Sequence, residues 1–115
     1  MAAITQETVY ARLSLLRPRA GQRDRALSIL DDLIEYYALK PGYLDAYTLS
    51  SPAEDGRDEI GRLTLWESDR DTDRVATSEH VLALRAQLQH CAEDGSDVER
   101  AFWAKSGPLA AAFGL

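Results

Sequence analysis

The succession of hydrophobic periodicities along the chain predicts an α+β fold of the ferredoxin-like kind, β-α-β-β-α-β with an antiparallel sheet. Three observations carry it. Apolar residues alternate with polar ones near the N-terminus, and residues 43–51 and 59–66 are rich in aromatic, Thr and Leu residues. Two stretches switch to the three-and-four spacing of a helix face. Pro, Gly and Asp-Gly punctuation falls between these segments, in the order strand, helix, strand, strand, helix, strand.

Val9, Ala11, Leu13 and Leu15 sit at every second position, with Tyr10, Arg12 and Ser14 between them, the pattern of a first strand with one strongly buried face. Pro18 and Gly21 break that run. From Arg23 the spacing becomes Ala26, Leu30, Leu33, Ile34 and Tyr37, one stripe of an amphipathic helix. The helix must end near Lys40, because Pro41 disfavours helical geometry in the residue before it and Gly42 accepts the positive φ of a terminating turn.

Residues 43–51 and 59–66 are rich in aromatic, Thr and Leu residues and read as two strands. The connection between them, 52–58, carries Pro, Asp-Gly and charges, so the pair forms a hairpin across a solvated loop. Ser68 stands where an N-cap belongs, with Asp71 three residues on to return the bond and favour the positive end of the helix dipole. Residues 69–77 are too polar to bury much. Ser78 then offers a second cap ahead of Val81, Leu84 and Leu88, with Leu82 and Ala86 beside them, so the helical region is expected to break near Thr77. A turn at residues 93–96 precedes a last strand over 98–105, with Val98, Phe102 and Ala104 on one face and Trp103 on the other.

In this topology both helices cover one face of the sheet. The strands nevertheless carry large apolar side chains on both faces: Leu63 and Leu65 on one side of the third strand, Ile60 and Trp66 on the other. A second copy of the chain is the simplest cover for the open face, which predicts an isologous homodimer with the two sheets face to face.

The bulk properties bound the rest. At 115 residues the chain is expected to be a single domain spanning 1–115, burying roughly two-thirds of its unfolded surface. An apolar fraction of 45% with 28% charged residues is that of an ordinary globular protein. A formal charge of −6 repels phosphate backbones, and no stripe of Lys and Arg with interleaved aromatics is present, so nucleic acid is excluded as a partner. No apolar run approaches the roughly 20 residues a membrane span requires. The lone Cys91 cannot form an internal disulfide and the first residues lack the basic and apolar regions of a signal peptide, so the expected location is cytoplasmic.

Groups capable of chemistry are few. Trp66 ends the third strand and His80 follows it by fourteen residues, near the start of a helix. An indole can stack on a flat ligand and an imidazole can move a proton near neutral pH, so this pair is the leading catalytic constellation. Equally, a strand-end Trp serves as core or interface, and a His just inside a helix serves as a surface hydrogen-bonder. Arg12 lies among apolar neighbours and needs either an anionic ligand or a carboxylate, for which Asp45 or Glu59 at the strand edge is the simpler partner. Among Tyr36, Tyr37, Tyr43 and Tyr47, Tyr37 lies on the helix core stripe and is the best placed to meet a substrate. Asp69, Asp71 and Asp73 begin like a calcium loop, but Arg74 stands where the loop requires Gly and His80 where it requires Glu. His90 and Cys91 have no further pair of ligands at zinc spacing, so no metal is expected.

From about residue 9 to residue 105 the chain resembles the antibiotic-biosynthesis monooxygenase family of dimeric α/β-barrel domains. The resemblance rests on Arg17-Pro18 with Gly21 before the first helix, Pro41-Gly42-Tyr43 before the second strand, Leu65-Trp66-Glu67-Ser68, and Ser78-Glu79-His80. It implies a homodimer with a ligand cavity between sheet and helices in each subunit, near Trp66 and His80. Several relatives oxygenate quinols or polycyclic phenols with neither metal nor flavin, the deprotonated substrate itself reducing O₂. Others bind and degrade haem, with an Asn on the first strand and a His on the second helix ahead of the Ser-x-His triplet. This chain has no asparagine, and Val75 and Ala76 fill the stretch where that His would fall, which weighs against haem.

Two functions are therefore expected to compete. One is a cofactor-independent monooxygenase in which Trp66 and Tyr37 hold a small aromatic, phenolic or quinol substrate while His80 or Arg12 stabilises its anion. The other is a non-catalytic dimeric ligand-binding or accessory protein, with a haem protein third. An enclosed cavity near Trp66 and His80 favours the enzyme, and side chains filling that space favour the accessory role.

Overall fold

A computed structural model describes residues 8–52 and 58–107. Its elements follow the expected order: β1 (Thr8–Leu16), α1 (Arg23–Tyr37), β2 (Tyr43–Ser50), β3 (Ile60–Trp66), α2 (Asp69–Ala76), α3 (Glu79–Cys91) and β4 (Val98–Lys105). The four strands form one antiparallel sheet in the order β2-β3-β1-β4, the ferredoxin-like α+β arrangement. The interior of the expected hairpin loop, residues 53–57, lies outside the described residues.

Local chemistry sets the element ends. Gly42 holds φ +85°, and a Cβ there would collide with the Asp71 side chain, so the turn that ends α1 needs glycine on two counts. Ser68 precedes α2 without the expected capping bond to the backbone; its hydroxyl donates to Asp71 Oδ2 at 3.1 Å instead. The break near Thr77 is present. Ser78 caps α3 by accepting from the Val81 N–H at 3.3 Å.

The core lies between the helices and one face of the sheet. α1 contributes Ala26, Ile29, Leu30, Leu33 and Tyr37, with Ile34 only half-buried, and α3 contributes Val81, Leu88 and Cys91. Leu84 packs against them, while Leu82 and Ala86 face solvent. The sheet meets this core through Leu16, Ile60 and Trp66, joined by Tyr10 and Tyr43.

It follows that the helix-facing set of β1 is Tyr10, Arg12, Ser14 and Leu16, and that the apolar alternation Val9, Ala11, Leu13 and Leu15 points away from the helices. With Leu63 and Leu65 of β3, Phe102 of β4 and Tyr47 of β2, these residues form an apolar surface on the open face. Val9 and Ala11 are buried, the four leucines are half-buried, and Phe102 and Tyr47 are exposed.

Candidate functional site

Strand register converts the helix-facing side of the sheet into four rows. The first, reading β4-β1-β3-β2, is aromatic throughout: Trp103, Tyr10, Trp66 and Tyr43. The second is Ala101, Arg12, Thr64 and Ala46. The third is Glu99, Ser14, Arg62 and Thr48. The fourth, where β1 and β3 run out, contains Leu16 and Ile60. A polar band is thus enclosed between an aromatic row and an aliphatic one, underneath the helices. Three elements close over it: α1 with Tyr37, α2 with Thr72 and Val75, and α3 with Arg85. Between them lies a cavity of about 350 Å³ of empty space, partly open to solvent, of which about 30 Å³ admits the centre of a water molecule.

Trp66 forms one wall. It is 2% exposed, and its indole N–H donates to Thr64 Oγ1 at 2.8 Å. Tyr37 and Tyr43 meet it edge-on, with ring centroids at 5.8 and 5.9 Å. These contacts fix the indole plane and satisfy its only donor. Thr72 is likewise committed, donating to the Asp69 carbonyl at 2.8 Å.

The charges are unbalanced. Arg12, Arg62 and Arg85 line the cavity against one carboxylate, Glu99. Glu99 Oε1 lies 2.7 Å from Arg85 Nη2 but 3.8 Å from Arg62 Nη2, so its close ion pair is with Arg85. The small Ser14 between Glu99 and Arg62 in their row lets the two side chains approach across β1. Arg62 is only 6% exposed and its Nη1 is buried with no hydrogen-bond partner among the described residues. The Tyr37 ring lies 5.6 Å from its guanidinium carbon. Burial pulls the Arg62 pKa below the ordinary guanidinium value, against the opposing pull of Tyr37 and Glu99.

Of the four residues singled out in the sequence, Trp66, Tyr37 and Arg12 line this cavity together. His80 does not. It is exposed on α3 and stacks on Tyr36, with ring centroids 4.3 Å apart, beside a groove on the outer side of α1 that Glu35 and Leu39 also line. Lys40 sits 4.3 Å from the same Tyr36 ring, and the Tyr36 phenol is held below its ordinary pKa by a hydrogen bond from Ser78 and by Lys40.

The expected ion pair of Arg12 with Asp45 or Glu59 is not formed among the described residues. Arg12 belongs to the row of Thr64 and Ala46, whereas Asp45 accepts from the Tyr47 hydroxyl and the Ala46 N–H, and Glu59 lies beyond the far end of β3. Arg62, Arg85 and Glu99 escaped the sequence reading. Two of them were accessible through parity: Arg62 shares the face of Trp66, and Glu99 that of Trp103. Among the described residues no group of three or more His, Cys, Asp or Glu side chains could hold a metal ion, and no helix is long and apolar enough to cross a membrane.

No protein-family model and no curated protein matches the sequence. Solved structures do match the fold. SnoaB, a cofactor-independent oxygenase from Streptomyces nogalater, superposes with a TM-score of 0.75 at 13% identity, over 89% of this chain and 97% of that one. A conserved protein from Methanosarcina mazei gives 0.74 at 14% identity, over 84% and 92% of the two chains. A protein from Chloroflexus aurantiacus, provisionally named an antibiotic biosynthesis monooxygenase, gives 0.69 at 19%, over 88% and 97%. The chain therefore has the fold found in antibiotic-biosynthesis-type monooxygenases.

Proposed function

We propose that this protein is a cofactor-independent monooxygenase acting on a small, electron-rich phenol or quinol. The observation that carries the reading is the convergence of Arg12, Trp66 and Tyr37 on one cavity between sheet and helices. The fold shared with a cofactor-independent oxygenase supports it. In this reading the aromatic row holds the substrate ring, and the Arg12 guanidinium stabilises the phenolate formed when the hydroxyl proton leaves. The phenolate is the reductant. It passes an electron to O₂, the ring radical and superoxide combine into a ring hydroperoxide, and cleavage of the O–O bond with a proton expels water. For a hydroquinone the balance is one quinol plus one O₂ to one hydroxyquinone plus one water, with all four electrons drawn from the ring. His80, outside the cavity, has no part in these steps.

A homodimer belongs to the same proposal. The open sheet face presents Leu13, Leu15, Leu63 and Leu65 with exposed Phe102, a surface a second copy would cover.

The test is oxygen uptake with a panel of hydroquinones. Wild type should consume O₂ and form one hydroxyquinone per O₂. Arg12→Gln should lower turnover by about 10² or more, the usual effect of removing an oxyanion donor. Trp66→Ala should abolish turnover if it folds. A folded wild-type protein that consumes no O₂ refutes the oxygenase. The narrowness of the cavity favours the second reading, a dimeric binding or accessory protein. That reading predicts ligand binding without oxygen consumption.

A further inference from the structure

Arg62 occupies an unusual electrostatic position for which the steps above have no use. A buried guanidinium is costly to hold unless its donors are paired, and a carboxylate matches the guanidinium fork with two parallel hydrogen bonds. Here the nearest carboxylate oxygen among the described residues stands at 3.8 Å, outside hydrogen-bond range, and belongs to a Glu99 already ion-paired with Arg85 at 2.7 Å. Nη1 has no hydrogen-bond partner among the described residues. Arg62 also separates two spaces. The cavity holding Arg12 and Trp66 and an adjoining one lined by Ser14, Leu88 and Gln89 share Arg62, Arg85 and Glu99 as their common wall. Glu99 comes from β4, whose residues are mostly exposed, and its side chain is 35% exposed, so it can move toward solvent without leaving Arg85.

We propose that the cavity takes an aromatic carboxylate, whose carboxylate seats on Arg62 in the position that Glu99 half fills. The proposal rests on the reading of this cavity as the substrate site, and it assigns the two arginines different tasks. Arg62 holds a permanent anionic substituent, and Arg12, one row nearer to Trp66, meets the reacting phenolate. The aromatic row lies beyond Arg12, so a ring carrying a carboxylate at one end would lie with that end toward Arg62 and its body toward Trp66. Glu99 acts as an internal competitor that the ligand displaces from Arg62.

The experiment is anaerobic isothermal titration calorimetry with 2,5-dihydroxybenzoate and its neutral amide, 2,5-dihydroxybenzamide. Wild type should bind the carboxylate at least about tenfold more tightly, or 1.4 kcal/mol. Arg62→Gln should bring the two within about twofold of each other. Glu99→Gln should tighten binding of the carboxylate severalfold and leave the amide unchanged, because only the anion competes with Glu99. Equal affinities in wild type, a preference that survives Arg62→Gln, or failure of both probes to bind at millimolar concentration would each overturn the proposal. Should Arg62→Gln not fold, Glu99→Gln decides alone, and no gain for the carboxylate refutes it. Oxygen uptake from unsubstituted hydroquinone without a carboxylate preference defeats this inference and spares the oxygenase. A carboxylate preference without oxygen uptake does the reverse.

Discussion

Replacing Arg62 with methionine should make the protein more stable while removing the carboxylate seat proposed for Arg62. A buried polar group left without a partner costs about 1–3 kcal/mol, with a charged group at or above the upper end, and among the described residues Arg62 Nη1 has none. Methionine has a similar length, fills the same channel and removes that cost. Against the gain stands the loss of the contact between the guanidinium and the Tyr37 ring, about 2 kcal/mol for a desolvated pair. The attraction to Glu99 is weak at 3.8 Å, and Glu99 is not orphaned, since it keeps Arg85 at 2.7 Å and remains 35% exposed. This last point decides the sign: removing one member of a buried pair is severely destabilising only when the survivor is left buried and unpaired. The net expectation is a gain of about 1 kcal/mol, or about 4 °C in Tm for a domain of this size. Urea unfolding followed by tryptophan fluorescence at fixed protein concentration measures it. A loss of about 1 kcal/mol or more in Arg62→Met would show that Arg62 is well satisfied in the folded state, and the reasoning that makes it an anion seat would fail with it.

Trp66→Phe should cost about 1–3 kcal/mol in the same assay, because the donor to Thr64 Oγ1 disappears and a void opens against Tyr37 and Tyr43. Gly42→Ala should lower Tm by several degrees, since φ is +85° and the new methyl meets Asp71; a neutral result would mean the turn relaxes freely. Leu63→Asp on the open sheet face should convert a dimer to monomer in sedimentation velocity, and an unchanged sedimentation coefficient for a dimeric wild type would place the interface elsewhere. The Tyr36 phenol should titrate below its ordinary value in carbon-13 NMR. Its midpoint should rise in Ser78→Ala and, to a smaller degree, in Lys40→Met, because both partners favour the phenolate; a midpoint unmoved in both would contradict that cause.

Much of the fold was legible because it depends on short-range signals. Residues 9–15 alternate, Pro41-Gly42 stops a helix, Ser78 caps one, and each signal involves residues within a turn or two of one another. From these the order and type of the elements follow, and so does the presence of apolar side chains on both faces of the sheet. Trp66, Tyr37 and Arg12, which line one cavity, were singled out for a related reason: each is a chemically distinctive residue type at its place in a local pattern. His80 was singled out on its chemistry, and a helix-start position does not say whether the side chain points under the helix or, as here, outward onto Tyr36.

The destination of each face could not be read locally. Alternation separates Val9, Ala11, Leu13 and Leu15 from Tyr10, Arg12 and Ser14, yet it does not say which set the helices will cover, and they cover the more polar one. That choice, with the strand order β2-β3-β1-β4, brings Glu99 and Arg62 into one row across Ser14 and sets Arg85 of α3 over them. Glu99 lies 37 positions and Arg85 23 positions from Arg62 along the chain. No periodicity within a strand or helix encodes a meeting at that separation. It exists only because the sheet pairs β1 with β3 on one side and β4 on the other, and α3 packs over them to bring three guanidiniums and the Glu99 carboxylate to one cavity.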